Sequence, residues 1–186
     1  MDPEKNLEIF AEITPNPNTL KFNVNRPLLN SGTLNFPDHE KARGSALAEG
    51  LFEITNVIGV MVGRDFITVT KAPAANWQDM AGNVTNRIQE LLNSGKTLLP
   101  QTEGQASPDA SSEIAQKIMA ILDSEIRPAV NMDGGDITFH GYENGIVTLH
   151  LQGSCSHCPS SIMTLKMGVE NRLKSLIPEI REVVQI

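Results

Sequence analysis

Two segments near the start of the chain alternate apolar and polar residues with period two, Leu7 to Ile13 and Thr19 to Val24. Between them stands Pro15-Asn16-Pro17-Asn18, a run of turn formers, so the pattern predicts two adjacent strands. Leu47, Leu51 and Ile54 then recur at helical spacing within residues 44–54, and residues 59–70 read as a hairpin bent at Gly63-Arg64-Asp65. A second helix is expected after the N-cap Asn76, with Trp77, Met80, Val84, Ile88 and Leu91 on one face and Gly95 as its stop. The first half therefore predicts β-β-α-β-β-α, mostly antiparallel.

In the second half, Ile114, Ile118, Ile121, Leu122 and Ile126 mark an amphipathic helix that opens after Ser111-Ser112 and is expected to end at Pro128. Met132-Asp133-Gly134-Gly135 makes a loop, and Asp136 to His140 and Ile146 to Leu151 read as hairpin strands around Glu143-Asn144-Gly145. Ile162, Leu165, Val169, Leu173 and Leu176 fall three or four apart between Pro159 and Ile177, predicting a helix stopped by Pro178 before a last strand, Ile180 to Ile186. This half predicts α-β-β-α-β. Residues 100–112 contain no large apolar side chain and are rich in Pro, Gly and Ser, the composition of a flexible linker. The fold class is thus α+β in two small domains, 1–99 and 113–186, joined by 100–112.

Composition narrows the function. The formal charge of −7, with no Lys/Arg run, lacks the footprint that neutralises phosphates, so neither nucleic acid nor a membrane surface is expected as a partner. Val57 to Val62, the most apolar stretch, is far shorter than the roughly 20 residues that span a bilayer. Met1 to Lys5 is acidic and is followed by alternating charge, unlike a signal or transit peptide, which gives the expectation of a cytoplasmic, bacterial-type protein.

Two cysteines, Cys155 and Cys158, are the whole complement of the chain, and they form a Cys-x-x-Cys between the end of a strand and the start of a helix. A bridge across so short a loop removes little chain entropy, so a functional pair is expected rather than a stabilising crosslink. Pro159 suits the first helical position, which places Cys158 at or next to the N-cap, where backbone N–H groups and the dipole favour thiolate. Two thiolates at this spacing can ligate one metal together, and soft sulfur selects zinc, copper(I) or iron–sulfur clusters. Clusters are usually held by four cysteines, and one chain supplies two. A homodimer, other ligands, or redox chemistry without metal would each resolve that count. A thioredoxin-like redox motif expects parallel strands in a βαβ unit with more strands behind it, whereas a hairpin precedes this motif and one short strand follows. For zinc within one chain, His157 lies cramped inside the Cys-x-x-Cys loop, and His140 and His150 fall on expected strands.

Other candidates have simpler readings. Gly134-Gly135-Asp136 resembles a fragment of a phosphate loop, but no Gly-Lys-Ser/Thr accompanies it, and a tight backbone turn is expected. Ser154, Ser160 and Ser161 lack an organised His and Asp, so capping and loop hydrogen bonds are expected of them. His39 reads as a solvated surface residue and Trp77 as part of a helix core stripe.

The stretch from Gly153 through Cys155, Cys158 and Pro159 to Lys174, with Met132 to Asp136 upstream, resembles the C-terminal domain of the NifU-like, or Nfu, iron–sulfur proteins. Thr14 to Phe22 and Gly63 to Lys71 resemble the N-terminal domain that accompanies it in many of them. The resemblance implies a non-enzymatic carrier or scaffold that binds a [4Fe–4S] cluster between the two subunits of a homodimer, through Cys155 and Cys158 of each. It further implies apo iron–sulfur proteins as recipients, an upstream assembly scaffold as source, and an N-terminal domain without ligands that contributes to partner recognition. A thiol–disulfide oxidoreductase using the same pair is the alternative. His157 departs from the small residue the family often carries between the cysteines, which bears on cluster stability, solvent access or cluster type.

Overall fold

In the computed structural model the chain divides into two compact units, Met1–Glu103 and Gly104–Ile186. Residues 7–30, 32–94, 112–156 and 159–186 are described, without the side chains of 156 and 159–162. The expected linker, 100–112, and the expected stop Gly95 lie outside the described residues, apart from Ser112.

The first unit runs β1 (Ile9–Ile13), β2 (Thr19–Val24), β3 (Leu34–Phe36), α1 (Ala46–Phe52), β4 (Val57–Val62), β5 (Phe66–Lys71) and α2 (Trp77–Asn93). The sheet order is β1-β2-β5-β4-β3, antiparallel at every pairing. The Pro-Asn-Pro-Asn turn is held from inside. The buried Thr14 hydroxyl donates to the carbonyls of Asn16 and Thr19, and Asn16 Oδ1 accepts from the Asn18 amide. Strand β3 is an addition to the expected order. It spans three residues, too few for an alternating pattern to register, and it forms by pairing Leu34 with Val62 and Phe36 with Val60. Both helices start at side-chain caps, Ser45 accepting from the Ala48 amide and Asn76 from the Gln78 amide. Phe22, Leu47, Leu51, Ile67, Val69, Val84 and Ile88 form the centre of the core, and Trp77 packs edge-on to Phe22 as the helix stripe implied.

The second unit opens with α3 (Glu113–Ile121), capped by Ser112, whose hydroxyl accepts from the Ala115 amide. The helical path does not end at Pro128. A π-helical turn, Leu122–Ile126, follows α3 and continues into α4 (Arg127–Met132). In that turn the Arg127 amide bonds five residues back, to the Leu122 carbonyl. The wider turn starts a new helical segment just before Pro128, so the proline sits in a first turn, where its missing N–H and its clash with the preceding turn cost nothing. Strands β6 (Gly135–Glu143) and β7 (Ile146–Gly153) form a hairpin longer than the expected one. Its two-residue turn has Asn144 and Gly145 at φ 52° and 85°, as a type I′ turn requires, and a bulge at His140 accommodates one extra residue.

Helix α5 (Pro159–Leu176) leads to β8 (Glu182–Gln185), which pairs with β7 in parallel. The element pattern had suggested no βαβ unit around the cysteines, yet β7, α5 and β8 make one. A parallel partner reached across a helix leaves no local trace in the sequence, because nothing short-range encodes strand direction. Val169 and Leu173 face the core as expected, but Leu176 is exposed and Ile177 takes the buried place, its amide bonded to the Leu173 carbonyl. No helix among the described residues is long and apolar enough to cross a membrane.

Candidate metal centre

Strand β7 ends at Gly153, in the left-handed region at φ 66°, and the chain passes directly into a short 3₁₀ turn, Ser154–Ser156, that carries Cys155. Helix α5 begins at Pro159, so the motif bridges a strand end and a helix start. Cys158 and His157 lie outside the described residues. Cys155 is 6% exposed and belongs to the apolar cluster of the second unit.

The 3₁₀ turn is fastened to the loop between α4 and β6. The Ser154 amide donates to the Gly134 carbonyl at 3.2 Å, and the Ser154 hydroxyl donates to the Asp133 carbonyl at 2.5 Å. That hydroxyl oxygen lies 3.8 Å from Cys155 Sγ. Gly135 is the cross-strand partner of Gly153, which brings its backbone against the thiol. A β-carbon built on Gly135 would stand 2.4 Å from Cys155 Sγ, 3.2 Å from its Cβ and 3.1 Å from the Gln152 carbonyl oxygen. Gly134, at φ 75°, turns the chain, so the tight turn expected of the glycine pair is made by its first member. Ser154, read as a loop hydrogen-bonding residue, has that role; Ser160 and Ser161 have side chains outside the description.

Asp136, named in the sequence only as part of the glycine loop, and Arg127, not named there, hold this loop to its helix. Asp136 is almost wholly buried, and Arg127 Nε stands 3.1 Å from its Oδ1. Arg127 also donates to the Ile137 carbonyl from Nε and Nη2, at 3.3 and 3.0 Å, and pairs with Asp123 one turn earlier. The signal available was the Asp closing Met132 to Asp136, an acidic residue at the start of an expected strand that needs a partner if buried.

On the other side, α5 is tied at two points. Glu170 accepts from Lys174 and from the Val183 amide at 3.0 Å, and the Lys174 ammonium together with that amide holds its carboxyl below the usual range. Arg172 donates to Glu125 at 2.7 Å, which lowers the glutamate and raises the guanidinium. The first contact joins α5 to β8, the second to the π-helical turn.

The three described histidines lie apart from Cys155. His150 Nδ1 is 3.1 Å from Gln152 Nε2 on β7, and His140 occupies the exposed bulge of β6. His39 meets Phe52 edge-on, 6.0 Å between ring centres, at the surface of the first unit. Among the described residues no group of three or more His, Cys, Asp or Glu side chains is placed to hold a metal ion.

The family model described as the Scaffold protein Nfu/NifU N terminal matches residues 9–95, and the one described as the NifU-like domain matches residues 118–184. The chain belongs to the Nfu/NifU family. The Homo sapiens protein named NFU1 iron-sulfur cluster scaffold homolog, mitochondrial, is 42% identical to this Nfu/NifU chain over 187 residues, covering 99% of it and 74% of the human protein. NifU-like protein 4, mitochondrial, of Arabidopsis thaliana is 37% identical over 188 residues, covering 97% of this chain and 66% of that one. This chain thus spans two thirds to three quarters of the length of these two relatives. The solution structure of a NifU-like protein from Saccharomyces cerevisiae matches at a TM-score of 0.45 and 23% identity, over 55% of this chain and 92% of that one.

These relatives overturn the expected cytoplasmic, bacterial-type location, since both are mitochondrial proteins by name. The expectation rested on the composition of residues 1–5, and a compartment cannot be read from a start that lacks targeting composition, because targeting peptides are removed from mature chains.

Proposed function

We propose that this chain is an iron–sulfur cluster scaffold and carrier, not an enzyme, whose cargo is a [4Fe–4S] cluster held between two copies by Cys155 and Cys158 of each. The observation that carries the reading is the family membership of both units, joined to a thiol fixed at a strand end one turn before a helix start. The relatives' name, iron-sulfur cluster scaffold, supports the cargo. Thiolate sulfur fits iron, and two donors per chain call for a second copy to reach the usual four.

The residues divide the work. Cys155 and Cys158 supply the donors, and the Asp133–Asp136 loop with Ser154 and Arg127 orients the first of them. Transfer is ligand exchange: thiolates of an apo-protein replace those of Cys155 and Cys158 on iron one at a time, with no net change in electrons. An upstream scaffold supplies the cluster. The first unit, with no cysteine, recognises partners. The test is transfer. Reconstituted protein mixed with an apo [4Fe–4S] enzyme and a strong iron chelator is expected to restore that enzyme's activity, whereas free iron and sulfide under the chelator do not. Equal restoration from the Cys155→Ala, Cys158→Ala protein would remove the reading.

One observation favours a second reading, thiol–disulfide exchange. The βαβ unit β7-α5-β8 puts the Cys-x-x-Cys at a helix start beside a parallel strand, the setting of redox dithiols. There Cys155 and Cys158 would form an intrachain disulfide, losing two electrons and two protons as a client disulfide becomes two thiols. The burial of Cys155 opposes rapid exchange. Metal-free protein that fails to accelerate insulin reduction by dithiothreitol excludes this reading.

A further inference from the structure

The glycine pair of the Met132 to Asp136 loop does more than turn the chain. Gly134 carries the positive φ, but Gly135 does not, so conformational freedom does not explain the second glycine. Space does: a β-carbon at 135 would meet Cys155 Sγ at 2.4 Å, well inside contact distance, with the Gln152 carbonyl at 3.1 Å leaving no room to lean away. A cysteine side chain has three staggered positions about χ1. In this structure Cys155 uses the one that lays Sγ against the bare Cα of Gly135, and the backbone there is fixed from three sides. Gly135 pairs with Gly153, the Ser154 amide and hydroxyl grip Gly134 and Asp133, and Arg127 holds Asp136.

We infer that Gly135 is a positioning residue for the Cys155 thiol, selecting its rotamer and so the direction from which the sulfur meets the cluster, with Ser154 as the anchor that keeps Gly135 in place. The inference rests on the reading of Cys155 as a cluster ligand. A cluster shared by four thiolates needs each sulfur aimed along its Fe–S bond, and a ligand that wanders among rotamers before binding is poorly preorganised.

Two readouts keep the parts distinguishable. In the full-length Cys158→Ala background, where Cys155 is the sole thiol, its alkylation by iodoacetamide is compared with and without Gly135→Ala. The added methyl expels Sγ from its seat, so the rate is expected to rise at least about threefold. In the chain with both cysteines, Gly135→Ala is expected to change the visible circular dichroism of the reconstituted cluster and speed iron loss to a chelator, with far-ultraviolet dichroism unchanged. Ser154→Ala, which leaves Gly135 and makes no clash, moves each readout in the same direction by less and carries the test if Gly135→Ala does not fold. Unchanged alkylation in both variants overturns the inference. So does faster alkylation with wild-type cluster spectra and iron retention. If the wild-type chain takes up no cluster, the carrier reading fails and the cluster part of this inference with it, while the alkylation comparison still decides whether Gly135 seats the thiol.

Discussion

Glu170 connects the electrostatics of single residues to the geometry of the motif. Its carboxylate bonds Lys174 and the Val183 amide, so it clamps β8 to α5 behind the cysteine turn, and its ionised form is the one favoured on folding. A carboxyl lowered by folding contributes stability above its unfolded value, near 4.5, and loses it as pH falls through the lower folded value. Glu170→Gln is therefore expected to lower the melting midpoint of the second unit by a few degrees at pH 7, with the gap to wild type closing as pH drops below 4. A gap that is constant with pH would show that the carboxylate is not the source. The thiol motif itself was legible because both cysteines and the helix-starting proline lie within five residues. Gly135, Ser154 and Arg127 were not legible as its supports. The contacts of Gly135 and Ser154 join chain positions some twenty residues apart and those of Arg127 about ten, and a glycine pair carries the same signature in a tight turn as beside a packed sulfur.

Among the elements, those with sustained periodicity were readable: β1, β2, α2, α3 and α5 lie where the apolar pattern puts them. What escaped has physical causes. Strand β3 is too short to alternate, and the path through Pro128 depends on a π-helical turn that resets helical register. Two substitutions separate these cases. Ser112→Ala removes the cap of α3 and is expected to cost about 1 kcal/mol in denaturant unfolding. Pro128→Ala removes no hydrogen bond and relieves no clash, so it is expected to cost no more than about 1 kcal/mol, chiefly by loosening the unfolded chain. A gain in stability on removing Pro128 would mean that the proline strains the helix after all.

At the scale of the molecule, the two units keep separate apolar cores, one around Phe22, Leu51 and Ile67, the other around Ile118, Leu149 and Leu173. Leu51→Ala and Leu173→Ala are each expected to cost roughly 2–5 kcal/mol in the unit that contains them. Hydrogen exchange should show faster opening of that unit's strands alone; acceleration throughout the chain would show that the units unfold together. Under the proposed function, partner recognition and cargo binding reside in different units.

The central claim is that one chain offers half of a cluster site. It is tested most directly by reconstituting the full chain with iron and sulfide under anaerobic conditions, then measuring iron, sulfide and native mass on one sample. The account predicts about four iron and four sulfide per two chains, carried by a dimer that becomes monomeric when the cluster is stripped. A full cluster on a monomer, or an undiminished iron content in the Cys155→Ala protein, would contradict it.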